Sequence, residues 1–396
     1  MTEAVTPTMA LLEAPSKPKP PTAKLIEDVA RKFGISPLRQ FREMMRLCAG
    51  WRAMDFHEYY TNQVYRPELN LAEKMTYVGE KGSARLNRRL SPYQITGLRA
   101  FVRDKVMYGA LMATLGFPVP RVQAVFSKDR SYGKLRSLHD VEEIEAFLLN
   151  DARYPLFVKP EEGSGSVGSA LIVALDREQR ALVLANGKSI DLRAFAIEVE
   201  TRYEEGFLFQ DAVQQHSMMS DVAGQAVGSI RVVTVFDGDT PSCLYALWKV
   251  PSPSAMSDNY WQPGSMLAEL DKMSGQVLQC RRGSGPDQEI IERHPVSEAV
   301  FTELRIPHWD EVLQMTAEAH RVLPKFGVIG WDIAITPEGP LIIECNANPH
   351  HMLYQLATGK GIHNPDFAEV FDRVAARADG YWQECKRKIK AERKRS

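Results

Sequence analysis

Gly330-Trp331-Asp332-Ile333-Ala334-Ile335-Thr336 and Leu341-Ile342-Ile343-Glu344-Cys345-Asn346, separated by Pro337-Glu338-Gly339-Pro340, are the stretch on which the fold turns. Both runs alternate apolar and other residues, which predicts two strands joined by a short loop centred on Glu338. With that centre Asp332 faces Glu344, at a Cβ separation of about 5 Å where like charges repel. Asn346 lies two residues beyond Glu344 and shares its face, because side chains alternate along a strand. Two carboxylates and an amide oxygen on one spot need a counter-charge. A hard divalent cation such as Mg2+ supplies it, since it prefers oxygen ligands and takes one or two carboxylates together with phosphate. The plainer alternative, a hairpin with its acids in solvent, fits poorly with strands this apolar.

A second stretch points to the partner of such a cation. Leu156-Phe157-Val158-Lys159-Pro160 reads as a buried strand, and Gly163-Ser164-Gly165-Ser166-Val167-Gly168 follows. Glycine and serine let backbone N–H groups close around phosphate oxygens. The G-x-G-x-x-G spacing is weak by itself, and a dinucleotide fold would continue into a helix. Here Ser169 to Leu175 continues as a strand, and there is no G-x-x-x-x-G-K-S/T loop. A protein kinase is excluded by the lack of H-R-D and D-F-G motifs and by a lysine that precedes the glycines.

The order strand, lysine, Gly/Ser loop, strand, then much later Asp on one strand and Glu-x-Asn on the next, resembles the ATP-grasp ligase superfamily. Gln214-Gln215-His216, Ser229-Ile230-Arg231-Val232-Val233-Thr234-Val235, Asp258-Asn259, Gly330-Trp331-Asp332 and Glu344-Cys345-Asn346 resemble its sugar-transfer-associated branch, over residues 90 to 365. The resemblance implies an α+β ATP-grasp fold: a helical N-terminal region, a small lid subdomain, and a larger C-terminal subdomain with a mixed or antiparallel sheet. It implies Lys105 and Lys159 as phosphate-contacting lysines, with Gly163, Ser164, Gly165, Ser166, Val167 and Gly168 as the loop over the phosphates. Adenine and hinge contacts fall on Gln210, Asp211, Val213 and His216. Arg231 and Lys249 become the cations at the γ-phosphate and the acyl-phosphate. Asp332, Glu344 and Asn346 match the metal ligands. Where many relatives carry an acid for the ribose, this chain has Gln214, Gln215 and His216, so no ribose contact is assigned. Many relatives also place an arginine just before the metal-binding Asp; this chain has Ile329, Gly330 and Trp331 there, and Arg231 stands in.

The activity so implied is ATP-dependent ligation: a carboxylate activated as acyl-phosphate and coupled to an amine or other nucleophile, with release of ADP and phosphate, in a biosynthetic pathway. ATP and Mg2+ are the expected cofactors, with Mn2+ as the alternative ion. Two other classes stay open: an ATP-grasp kinase or phosphotransferase, and a non-catalytic nucleotide-binding partner in polysaccharide biosynthesis. Several residues also have plainer readings. Lys159 could snorkel from a sheet edge, Lys105 could face solvent from its helix, Arg231 and Lys249 could form structural ion pairs, and His350-His351 could simply pack. No Cys/His spacing supports zinc.

Composition agrees with an enzyme of this kind. The chain has 396 residues, enough for two or three lobes, and 49 basic against 50 acidic residues give no global field that calls for nucleic acid. Five scattered cysteines without C-x-x-C suggest reduced thiols in the cytoplasm. No apolar run approaches a membrane span. The expected partners are small-molecule carboxylate and amine substrates, and a homodimer is left open.

The domain reading is a disordered Pro-rich tail at 1–23, a mostly helical region at 24–115, the lid at 116–205, the C-terminal subdomain with the metal site at 206–365, and a helix with a basic tail at 366–396. Within it, one helix is expected from Leu25 to Phe33 ending at Gly34, another from Arg99 to Leu115, one from Asp140 to Leu149 in the lid, and one from Val312 to Leu323. The connection from Pro251 to Met266 lacks periodicity and is long for a compact domain. It is read as a substrate loop, with Asn259 as its gripping residue beside Tyr260 and Trp261. The basic run Lys386 to Arg395 reads as a solvated helix end.

Overall fold

The computed structural model describes residues 11, 20–48, 50–163, 167–238, 240–252, 255–258 and 263–392. Its first sheet contains β1 (Val122–Phe126), β2 (Arg136–Leu138), β3 (Leu156–Pro160), β4 (Ala170–Asp176), β5 (Ala181–Leu184), β6 (Ser189–Asp191) and β7 (Phe207–Asp211), in the order β2-β1-β7-β3-β4-β5-β6. The helices Val141–Asn150 and Leu192–Arg202 cover one face. There Phe147 and Phe195 pack with Leu156, Val158, Ile172, Phe207 and Phe209.

The second sheet contains β8 (Ile230–Val235), β9 (Ser242–Val250), β10 (Met266–Leu270), β11 (Val277–Arg282), β12 (Glu289–Ile291), β13 (Val328–Thr336) and β14 (Gly339–Asn346), in the order β12-β11-β10-β9-β8-β13-β14. All its pairings are antiparallel. The one parallel pair among the named strands, β1 with β2, lies in the first sheet. The second sheet is thus antiparallel, one of the two forms expected of it. The lid is no smaller in strand number, and it runs past 205 to Asp211 because β7 pairs with β1 and β3. The fold class is α+β, as the sequence led us to expect.

Alternation along β8 and β13 gives each face of the second sheet its partner. Ile230, Val232, Trp331 and Ile333 pack under the helix Trp309–Arg321. Val233, Val235, Leu247 and Val328 pack under the helices Met352–Thr358 and Pro365–Glu392. A buried polar chain fixes the first docking. Trp331 Nε1 donates to Thr234 Oγ1 at 2.8 Å, Thr234 meets His320 Nδ1 at 2.7 Å, and His320 Nε2 meets the Phe326 carbonyl at 2.8 Å. That carbonyl can only accept, so Nε2 carries the proton and Thr234 donates to Nδ1.

Before the first sheet come the helices Thr22–Phe33, Pro37–Cys48, Phe56–Thr61, Leu71–Lys74, Glu80–Leu90, Arg99–Arg103 and Lys105–Thr114. The first ends at left-handed Gly34, as expected. The expected continuous helix 99–115 is instead two, because Asp104 leaves helical geometry and accepts the Met107 N–H at 2.8 Å as an N-cap. Of the tail 1–23 most lies outside the described residues, but Leu11 is buried in the first sheet's core and helix begins at Thr22. Among the described residues no helix is long and apolar enough to cross a membrane.

Candidate functional site

The hairpin of β13 and β14 places Asp332 opposite Glu344, though not through the loop geometry expected. Thr336 pairs with Gly339, so the turn is two residues, and a one-residue bulge at Ile343 restores the offset between Asp332 and Ile333. On its other side Asp332 is opposite Arg231 of β8, and Arg231 is opposite Leu247 of β9. Lys249, two residues on from Leu247, shares that face. Asn346, Glu344, Asp332, Arg231 and Lys249 thus converge across four adjacent strands, beyond the part of the face that the helices cover.

Contacts within the cluster are close. Arg231 Nε donates to Asp332 Oδ1 at 2.6 Å and Nη2 to Oδ2 at 3.0 Å, a bidentate pair. Lys249 Nζ stands 3.3 Å from Asp332 Oδ2 and 3.1 Å from Asp258 Oδ2. Asn346 Nδ2 donates to Glu344 Oε1 at 3.1 Å, which leaves the amide oxygen directed elsewhere. Burial works against the Asp332 charge, but Arg231 and Lys249 overcome it and hold the carboxyl well below the usual carboxylate range. Burial likewise opposes the Arg231 and Lys249 charges, and the neighbouring carboxylates more than offset it, so both titrate above their ordinary values. Arg231 and Lys249 are thus both ion-paired, and both line the cleft.

Facing this cluster is the first sheet. β3 and β4 form an antiparallel pair, with Phe157 opposite Leu171 and Val158 opposite Ala170, so lysine, glycine loop and strand follow in the expected order. Burial pushes the Lys159 ammonium down to about 8, partly offset by Glu344 across the cleft. Lys105 begins its helix and donates to the carbonyls of Glu161 at 2.9 Å and of Pro160 and Gly163 at 3.3 Å each, strapping the start of the glycine loop. Arg130 braces the same place, 2.6 Å from both Asp104 and Glu161. Gly168 has φ +79°, and a Cβ there would fall 2.4 Å from the Tyr203 hydroxyl, so only glycine fits. Ser164, Gly165 and Ser166 lie outside the described residues, as do Asn259, Tyr260 and Trp261.

Between the sheets runs a cleft of about 1420 Å3, larger than the usual range of about 300–1,000 Å3 for a single small-molecule site. Lys105, Lys159, Gly163, Val167, Gln210, Val213, Arg231, Lys249, Asp332, Glu344 and Asn346 all line it. Phe157, Leu171, Val173, Ala212 and Val213 make an apolar slot beside Gln210. Two expected contacts turn away. The Asp211 carboxylate is held by Gln123 at 2.6 Å and Arg153 at 3.1 Å. His216 caps the helix Ser217–Ala223, its Nδ1 accepting from the Met218 N–H at 3.2 Å.

The opposite end is walled by residues that the sequence reading missed, Asp55, His57, Glu58 and Glu80 from the N-terminal helices, and by His350, whose plainer reading was packing. Asp55 and Glu58 form a capping box, a D-x-x-E signal visible in sequence. Its position against the cleft is not visible there, because it depends on the helix Glu80–Leu90 docking on the loop after β14. Asn87 Nδ2 donates to the Pro349 carbonyl at 3.0 Å, and its Oδ1 meets His351 Nε2 at 2.9 Å. His351 is thereby a packing residue.

The donor set fits a hard divalent ion. Asp332, Glu344 and the Asn346 amide oxygen are all oxygen donors on one face, the chemistry Mg2+ prefers. Among the described residues no group of three or more His, Cys, Asp or Glu side chains is placed to hold a metal unaided. Such a site leaves positions for phosphate oxygens and water.

Among curated proteins none matches this chain. Loose structural likenesses include the D-alanine-D-alanine ligase of Coxiella burnetii, with TM-score 0.44, 14% identity, 76% of this chain and 64% of that one covered. VanG D-Ala:D-Ser ligase of Enterococcus faecalis gives TM-score 0.40, 14% identity, 70% of this chain and 62% of that one. The ATP-grasp ligase PsnB with a precursor peptide and AMPPNP gives TM-score 0.35, 16% identity, 69% of this chain and 59% of that one. The chain thus spans less than two thirds of their lengths, and at these scores the likenesses carry no argument. The model of the family described as sugar-transfer associated ATP-grasp matches residues 83–369, which takes in both sheets and every cleft residue named above except the N-terminal wall before it. The chain belongs to the sugar-transfer associated ATP-grasp family.

Proposed function

We propose that this protein is an ADP-forming ligase that activates a carboxylate with ATP and couples it to an amine. One observation carries the reading. Three cations, the buried Lys159 and Arg231 and the nearly buried Lys249, face Asp332, Glu344 and Asn346 inside a single cleft with room for a nucleotide and a second substrate. In the first step a carboxylate oxygen bonds to the γ-phosphorus and the bond to the β-phosphate oxygen breaks, releasing ADP. In the second the amine bonds to the acyl carbon, the carbon–oxygen bond to phosphate breaks, and the amine's proton leaves with the phosphate. No nucleophilic Ser or Cys is needed.

The chain's part is positioning and charge neutralisation. Lys159 meets the phosphates from the lid side, where Gly163 and Val167 also line the cleft. Arg231 and Lys249 meet the transferred phosphoryl group from the other sheet, where fixed charges in a dry site act most strongly. Mg2+, held by Asp332, Glu344 and Asn346, would neutralise terminal phosphate charge.

ADP release measured over a panel of acids and amines, with mass analysis of product, tests the reading. The expected result is ADP and phosphate formed only when acid and amine are both present, with a condensed product. AMP and pyrophosphate would exclude the acyl-phosphate route, and a stable phosphorylated product would make the protein a kinase.

A further inference from the structure

Asp258 lies on the connection from β9 to β10 and reaches back to the cation cluster. Its Oδ2 accepts the Ser229 backbone N–H at 3.0 Å and also the Ser229 hydroxyl. The same oxygen is 3.1 Å from Lys249 Nζ, with both side chains nearly buried. Lys249 therefore stands between two carboxylates, the other being Asp332 at 3.3 Å. Two residues before Asp258, Met256 is buried in the core of the first sheet. The short segment thus touches both walls of the cleft.

We propose that Asp258 is a positioning residue that holds the Lys249 ammonium at the reacting end of the cleft, independently of Asp332; the proposal rests on the ligase reading above. Asp332 has competing demands. Both its oxygens are engaged by Arg231, and it belongs to the candidate metal set. Whatever a divalent cation draws from Asp332 is lost to Lys249, and a buried ammonium without an anionic partner is costly. Asp258 stands outside that donor set. Its anchors are two donors of Ser229 at the start of β8, so it keeps its place whether or not Asp332 is engaged. A lysine ammonium rides on a flexible four-carbon stem, and Asp258 supplies the fixed point that the stem lacks.

The test is a double-mutant cycle with two readouts. Asp258→Asn keeps the shape and the acceptor for Ser229 while removing the charge. Asp258→Asn should lower kcat for ADP release about 100-fold, as a misplacement near 1 Å does, with KM for MgATP within about threefold and thermal midpoint unchanged. In a Lys249→Ala background the same substitution should change kcat less than about twofold. An equal loss in both backgrounds, or no loss in either, overturns the proposal. Labelling of Lys249 by an amine-reactive ester, followed by mass spectrometry without turnover, gives the second readout. Asp258→Asn should speed labelling of Lys249 several-fold and leave Lys105 unchanged, and unaltered labelling of Lys249 also overturns the proposal. Faster labelling in a protein that shows no acid- and amine-dependent turnover would sink the ligase reading and leave the positioning role standing. Turnover with an additive cycle would do the reverse.

Discussion

Burial in the cleft lowers the Lys159 ammonium to about 8, whereas a bound phosphate favours its charged form. Below that pH the free protein already carries the charge, and affinity for MgATP does not vary with pH through this group. Above it, binding must take up a proton, so affinity should fall by about tenfold per pH unit until the pKa of the complex is passed. Titrations across roughly pH 7 to 10 check this, and Lys159→Arg, charged throughout, should flatten the slope; a flat wild-type profile would take Lys159 away from the phosphates. Gly330 makes a second case. A Cβ there would sit 2.9 Å from the Pro349 Cβ and 3.6 Å from the Arg231 Cδ. Gly330→Ala should cost about 1–3 kcal/mol in denaturant unfolding because Pro349 must give way, whereas the Arg231 Cδ stands at ordinary contact distance; unchanged stability would mean that the loop after β14 shifts freely. Arg231→Ala should itself depress kcat by about 100-fold or more with a smaller effect on nucleotide affinity. If it changed only stability, Arg231 would belong to a structural ion pair.

At the scale of elements, the sequence was most legible where one face is buried. Alternation in β13 and β14 fixes which side chains share a face, because a slip of one residue would put the apolar set into solvent. That is why the pairing of Asp332 with Glu344 was readable, even though the turn was a residue shorter and a bulge made up the difference. The break at Asp104 was not read, since an N-cap competes with a helix that hydrophobic periodicity alone would continue. Nor were the roles of Asp211 and His216, which point to Gln123, Arg153 and the Met218 amide rather than into the cleft. A strand pattern says which residues alternate but not which face holds the ligand. The buried histidines carry a prediction at this scale. Burial holds His320 at about 4 and His351 at about 3, below the ordinary 6.5. The stability that comes from keeping them neutral is complete above about pH 6.5 and is lost as pH falls toward those values, at about 1.4 kcal/mol per pH unit for each. Urea unfolding at about pH 7, 5.5 and 4.5 should show that decline, and stability unchanged across the window would mean that the imidazoles are charged in the fold.

Across the whole molecule, the order of motifs along the chain told of two sheets gripping a nucleotide, because lysine, glycine loop and metal strands must converge if they share phosphate. Strand number, the membership of β7 in the first sheet, and the wall of Asp55, Glu58 and Glu80 were not readable. Each depends on packing between segments far apart in sequence, such as Asn87 against Pro349, and no local pattern encodes that. Asp258 was marked only as part of the family pattern, and its contact with Ser229 escaped for the same reason, since that partner is reached only through the fold. The hairpin register sets Asp332 beside Glu344 and Asn346, and the pairing of β13 with β8 and of β8 with β9 brings Arg231 and Lys249 to them, so the proposed metal set and the proposed nucleotide stand or fall jointly. An equilibrium titration of a non-hydrolysable ATP analogue, with and without Mg2+, into the wild type and Glu344→Ala decides the matter. Mg2+ should tighten binding to the wild type and have little effect on Glu344→Ala, which should remain folded; an equal Mg2+ effect in both proteins would contradict the site described here.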